Sequence, residues 1–261
     1  MCNGHESARW RSVSWWLAVS LLAVALKHHY STAGVGELDW MFRPLSQLLE
    51  WYTGHAFYRD SDHGWVSEAA DVRLVKACAG INFMVMSFVA YAWVLRPDRR
   101  APARILWWTA GRVVLLGGAF MASWMTAVLA NSARIIAAMN IDPHGWVPDA
   151  LGMGAADVHR LTGMAVYLPV LALQTMFGDR GAGRSAFLVP FMLYLLLTVV
   201  VPLFTGNALR DPTLFLRHLL TLSAVIIAGC AVAFLCRRWR VRLEQVRQCR
   251  QGGAAVWRAQ T

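Results

Sequence analysis

Five long apolar runs dominate the sequence: Ala77 to Leu95, Ile105 to Val128, Leu161 to Phe177, Phe187 to Phe204 and Leu219 to Leu235. As helices, at 1.5 Å per residue, each covers roughly 25–36 Å, which matches a bilayer core of about 30 Å. Composition agrees. Of 261 residues, 57% are hydrophobic and 15% charged, whereas a water-soluble domain is about 45–50% apolar and about 25% charged.

A sixth run, Trp15 to Leu26, follows the basic residues Arg9 and Arg11 and ends at Lys27-His28-His29. It resembles a signal peptide, but no small-residue cleavage site follows, so it reads as an uncleaved first span. Residues 27 to 76 form the longest mixed stretch. Within it, Leu38 to Tyr52 carries apolar residues around Arg43, Pro44 and Glu50, a pattern too polar to span and suited to an interfacial or partly embedded helix near residues 38–54. The expected fold class is therefore all-α: a polytopic membrane bundle of about six transmembrane helices over residues 1–235, with a basic tail over 236–261.

Charge sets the orientation. With the N-terminus inside, the inner segments collect Arg96, Arg99, Arg100 and Arg104, then Arg180 and Arg184, then the Arg-rich tail from Arg237. The outer segments carry a slight acidic excess, so the basic bias places both termini on the cytoplasmic side. The net charge of +10 has its origin there, and no nucleic-acid partner is implied. Arg112 is the one charge well inside a run; it reads as a residue snorkelling to the interface beside Trp107 and Trp108, in preference to a member of a buried path.

Cys2, Cys78, Cys230, Cys236 and Cys249 form no CxxC pair and no Cys/His metal spacing, so neither a disulfide framework nor a metal site is expected, and no cofactor motif is present. The glycine-rich Gly178 to Ser185 loop lacks the lysine of a phosphate-binding loop and has no preceding strand, so it reads as an inner turn. The Pro143 to Pro148 stretch and Gly152-x-Gly154 read as an irregular outer loop.

Three reactive residues fall at the outer ends of the runs. Cys78 opens the second span, where a helix N-terminus lowers a thiol pKa and Lys76 adds positive charge; the other reading is a small packed cysteine. Arg134 follows the third span in Asn131-Ser132-Ala133-Arg134. Its guanidinium either donates to an oxyanion or carboxylate, or caps the last carbonyls of the helix. Asn131 shares its face if the helix continues. His159 opens the fourth span, and an imidazole is the usual group that takes a thiol proton and returns it to a leaving amine; the alternative is an interfacial histidine.

The ordered motifs Ala77-Cys78-Ala79-Gly80-Ile81-Asn82-Phe83, Asn131-x-x-Arg134-Ile135, and His159 with Gly163 and Tyr167 at four-residue steps resemble the exosortase/archaeosortase family. The Cys-Ala-Gly-x-Asn form is most similar to its exosortase K branch, and the resemblance covers roughly residues 38 to 235. Ala79 departs from the serine of many members. The resemblance implies a membrane cysteine transpeptidase or protease in a bacterial inner membrane, with its site on the periplasmic side. Its partners are exported proteins bearing a C-terminal sorting signal, made of a short motif, a hydrophobic helix and a basic tail. It makes Cys78 the nucleophile, Arg134 the stabiliser of transition-state charge, His159 the acid/base and Asn131 a support for Arg134. The competing expectation is a non-enzymatic transporter or an envelope or exopolysaccharide assembly factor in which Cys78 merely packs.

Overall fold

The computed structural model describes residues 3–60, 64–70, 72–96, 105–141, 155–178, 192, 194–204, 212–213, 215–216 and 219–224. Of these, 84% are helical. Contacts divide the chain into two compact units, Met1–Gly206 and Asn207–Thr261. In the second unit the described residues, the last of them 219–224, are helical. The rest of the run to Leu235 and the basic tail lie outside the described residues, as do the Pro143 to Pro148 loop and residues 179–191.

In the first unit, α1 spans Asn3–Thr32, α2 Asp39–Thr53, α3 Ile81–Val94, α4 Ile105–Ile141 and α5 Ala155–Gly178. A π-helical turn, Leu196–Val200, leads into a short helix, α6, at Val201–Phe204. α3 is the hub, packing against α1, α4 and α5. Its residues explain this position: Ile81, Phe83, Met84, Val85, Met86, Ser87, Phe88, Ala90 and Ala92 are all buried. They cover the helix all round, the pattern of an element with neighbours on every side. Trp15 of α1 seals one flank, donating its indole N–H to the Ala92 carbonyl at 3.3 Å. On another, Gln174 of α5 donates to Ser87 at 2.8 Å.

Among the described residues one helix, the 32-residue Ala110–Ile141 part of α4, is long and apolar enough to cross a membrane, and only 28% of its most apolar stretch is buried within the protein. Ile81–Val94 and Leu161–Thr175 are shorter apolar helices. The run expected from Ala77 to Leu95 is thus a helix of 14 residues. Gly80 adopts a left-handed conformation (φ 72°) that a continuing α-helix excludes, and at about 21 Å the helix falls short of a 30 Å core. α4, in contrast, runs well past Val128 to Ile141.

The region between α1 and α3 corrects the all-α expectation. A helix was expected near residues 38–54, at the interface or partly embedded; α2 is that helix, burying Met41, Phe42, Leu45, Ser46 and Leu49 and ending at left-handed Gly54, whose N–H reaches the Glu50 carbonyl at 2.8 Å. Pro44 inside α2 brings no N–H for the carbonyl of Trp40. Trp124 of α4 donates its indole N–H to that carbonyl instead, at 3.3 Å. Beyond α2 lies a three-stranded antiparallel sheet, β1 (Tyr58–Asp60), β2 (Gly64–Ser67) and β3 (Val72–Leu74), in the order β1-β2-β3. Its register pairs Arg59 with Trp65 and Trp65 with Leu74. Strands this short leave little alternation to read in a sequence.

The sheet is tied to both ends of α2. Asp39 accepts from Trp65 Nε1 at 2.9 Å and pairs with Arg59 at 3.6 Å. Glu50 accepts from the Phe57 N–H at 2.7 Å. β3 then delivers the chain to the turn that carries Cys78.

Candidate active site

Lys76–Ala79 form a 3-10 turn between β3 and α3. Cys78 lies inside this turn, before the Gly80 cap of α3, so the expectation that it opens the helix is corrected: left-handed Gly80 separates it from the first helical turn. The thiol is free and half-buried. Lys76 was expected to add charge beside it. Its ammonium instead binds the carbonyls of Ser31 and Ala33 at the end of α1, at 3.1 and 2.7 Å.

Asn131 of α4 anchors the turn. It is fully buried, its Nδ2 donates to the Cys78 carbonyl, and its Oδ1 accepts from the Tyr167 hydroxyl of α5 at 2.8 Å. All three elements are thereby joined through one side chain. The fit is close: a Cβ on Gly80 would stand 3.0 Å from Asn131 Cγ. Tyr167 is fixed from its other side by stacking on Phe83, with ring centroids 4.2 Å apart and planes 14° apart.

Arg134 follows Asn131 by one turn on the same face. It was expected just beyond the helix end; α4 continues for about two more turns to Ile141, so the reading of Arg134 as a C-terminal cap is excluded. The residue is 8% exposed. Its guanidinium lies over the Tyr167 ring at 5.6 Å, and buried Nε and Nη2 have no hydrogen-bond partner among the described residues. No carboxylate among the described residues pairs with it. A buried charge normally takes a partner, because leaving one uncompensated costs several kcal/mol.

α5 approaches this guanidinium by its backbone. A Cβ on Gly163 would lie 3.5 Å from Arg134 Cδ and 4.0 Å from Nη1. His159 precedes Gly163 by one turn in α5; its side chain lies outside the described structure. The geometry thus brings Cys78, Asn131 and Arg134 together and places the backbone of His159 one turn from the glycine facing Arg134.

Two tyrosines complete the cluster. Tyr167 belonged to the sequence motif without a role of its own. Tyr30, near the end of α1, carried no motif signal. Its hydroxyl donates to the Lys76 carbonyl at 3.3 Å. Burial pushes the phenol pKa up, the negative charge of an ionised Cys78 pushes it further the same way, and Arg134 opposes them. Tyr30 therefore shares a field with both residues. Lys27, also on α1, donates to Asn82 Oδ1. Both contacts join residues more than forty positions apart, so only the packing of α1 reveals them.

Among the described residues no His, Cys, Asp and Glu side chains gather as a metal-binding group. Comparison with protein-family models, curated proteins and solved structures gives no match to this chain.

Proposed function

We propose that this chain is a polytopic membrane cysteine transpeptidase or protease of the exosortase/archaeosortase kind, most similar to the exosortase K branch. In this reading about six helices cross a bacterial inner membrane, both termini are cytoplasmic and the Cys78 cluster faces the periplasm. The substrate is an exported protein with a C-terminal sorting signal.

The observation that carries the reading is the buried Arg134 guanidinium, with two nitrogens that no described residue partners, in one cluster with a free thiol. A cysteine, a buried cation and a histidine-bearing helix turn are the parts that acyl transfer from a peptide needs. The apolar surface gives the membrane setting. Val113, Val114, Met121, Met125 and Leu129 of α4, and Leu17, Leu21 and Val24 of α1, are all exposed, a surface suited to lipid tails.

In the reaction, the Cys78 thiolate attacks the scissile carbonyl carbon. Arg134 donates to the oxygen that gains negative charge. His159 takes the thiol proton and gives it to the leaving amine, so the C-terminal peptide departs and a thioester joins Cys78 to the rest of the substrate. Water, or an amine or hydroxyl acceptor, then attacks the thioester carbonyl and returns the thiol. Ala79 fits this scheme without a serine: it is fully buried, where a hydroxyl would need a partner of its own.

The test is processing of a co-expressed protein carrying a C-terminal sorting signal. Cys78→Ala and His159→Ala each abolish conversion, and the wild-type chain accumulates an acyl-enzyme that hydroxylamine releases. Full conversion by Cys78→Ala overturns the proposal in favour of a transporter or assembly factor.

A further inference from the structure

We propose that Tyr30 is a positioning residue for Cys78, holding the cysteine-bearing turn against the end of α1 through its hydroxyl. The inference rests on the reading of Cys78 as the nucleophile.

A four-residue 3-10 turn has strained hydrogen-bond geometry and little stiffness of its own. Contacts from α1 supply what the turn lacks, and they land on both sides of the cysteine. Tyr30 Oη donates to the Lys76 carbonyl, two residues before Cys78. Lys27 Nζ donates to Asn82, four residues after it. Lys76 Nζ returns the contact by binding the Ser31 and Ala33 carbonyls, the C-terminal groups of α1 that most favour a cation.

The Tyr30 ring is itself held. Lys27 Nζ lies 5.2 Å and Lys76 Nζ 5.3 Å from its centroid, so two ammonium groups fix the ring while the hydroxyl points at backbone. A tyrosine that serves only as a membrane-interface anchor directs its hydroxyl to headgroups and water. Here it is spent inside the protein. A phenol is protonated at neutral pH, and burial pushes its pKa further up, so the hydroxyl is a donor.

Tyr30→Phe separates the two roles, since it keeps the ring between the lysines and removes only the donor. The experiment uses the full chain in membranes, with Cys2, Cys230, Cys236 and Cys249 replaced by alanine, and follows labelling of Cys78 by a membrane-impermeant maleimide. At unchanged abundance and thermal midpoint, Tyr30→Phe labels about threefold faster or more, the factor that one lost hydrogen bond supplies. It also processes substrate about tenfold more slowly. A packing role alone predicts that phenylalanine restores both, and labelling within the error of wild type overturns the proposal. If the wild-type chain processes no sorting-signal substrate, the transpeptidase reading fails while labelling still decides the place of Tyr30. A second measurement covers a misfolded variant: in Tyr30→Cys, a short bifunctional maleimide bridges residue 30 to Cys78 within one chain, and no bridge overturns the proposal.

Discussion

The sheet beside α2 and the cluster around Cys78 are neighbours in sequence, and they treat charge in opposite ways. At the sheet the carboxylates have partners: Asp39 holds Trp65 and Arg59, Glu50 holds the Phe57 N–H, and Glu68 accepts from Tyr58. The leftover polar atom there is a neutral hydroxyl, Ser67 Oγ. At the cluster Asn131 uses both ends of its amide, and among the described residues the leftover group is a cation. An unmatched hydroxyl is a modest local cost, whereas leaving a buried guanidinium unmatched costs several kcal/mol. The pairing at the sheet builds a support; at the cluster the described residues leave two Arg134 nitrogens without a partner.

Four substitutions test that contrast. The largest effect belongs to Arg134→Lys, which keeps the charge and removes the planar set of donors; on the function proposed above, processing falls about 10²-fold, the size seen when an oxyanion donor is lost. Wild-type turnover by this variant would show that the guanidinium nitrogens do no chemistry. Gly80→Ala comes next. A Cβ there meets Asn131 at 3.0 Å on backbone with φ 72°, so about 1–3 kcal/mol of stability is lost. A lower thermal midpoint in detergent reads this directly.

Tyr167→Phe removes the donor to Asn131 and leaves the stacked ring, costing about 1 kcal/mol and loosening the Cys78 turn. Thermal midpoint and Cys78 labelling change together in that variant, and a change in neither would disconnect α5 from the turn. The smallest effect is at the sheet. Asp39→Asn weakens a partly exposed ion pair worth about 0–1 kcal/mol, lowering stability slightly and leaving the processing rate per folded molecule unchanged. A large loss of rate in Asp39→Asn would erase the distinction between support and site.

Hydropathy made most of the helical framework legible, because runs such as Ile105 to Val128 carry their signal locally. It placed ends less well. The start of α3 is set by one backbone angle at Gly80, and α4 outlasts its apolar run because Asn131 and Arg134 are accommodated by α5. The strands stayed hidden because Tyr58–Asp60 and Val72–Leu74 gain their identity by pairing with Gly64–Ser67. Cys78, Asn131 and Arg134 stood out by motif spacing. Tyr30 did not: its relation to Lys76 depends on where α1 ends in space, which no local pattern records.

The dependence of the Cys78 turn on Asn131 has a temporal consequence. A nascent chain that has emerged as far as α3 carries the thiol, yet lacks the amide that grips its carbonyl, the guanidinium and the tyrosine from α5. The turn therefore takes its final form late in synthesis, when α4 and α5 dock, and on the function proposed above a half-made molecule does not yet cut the polypeptides around it.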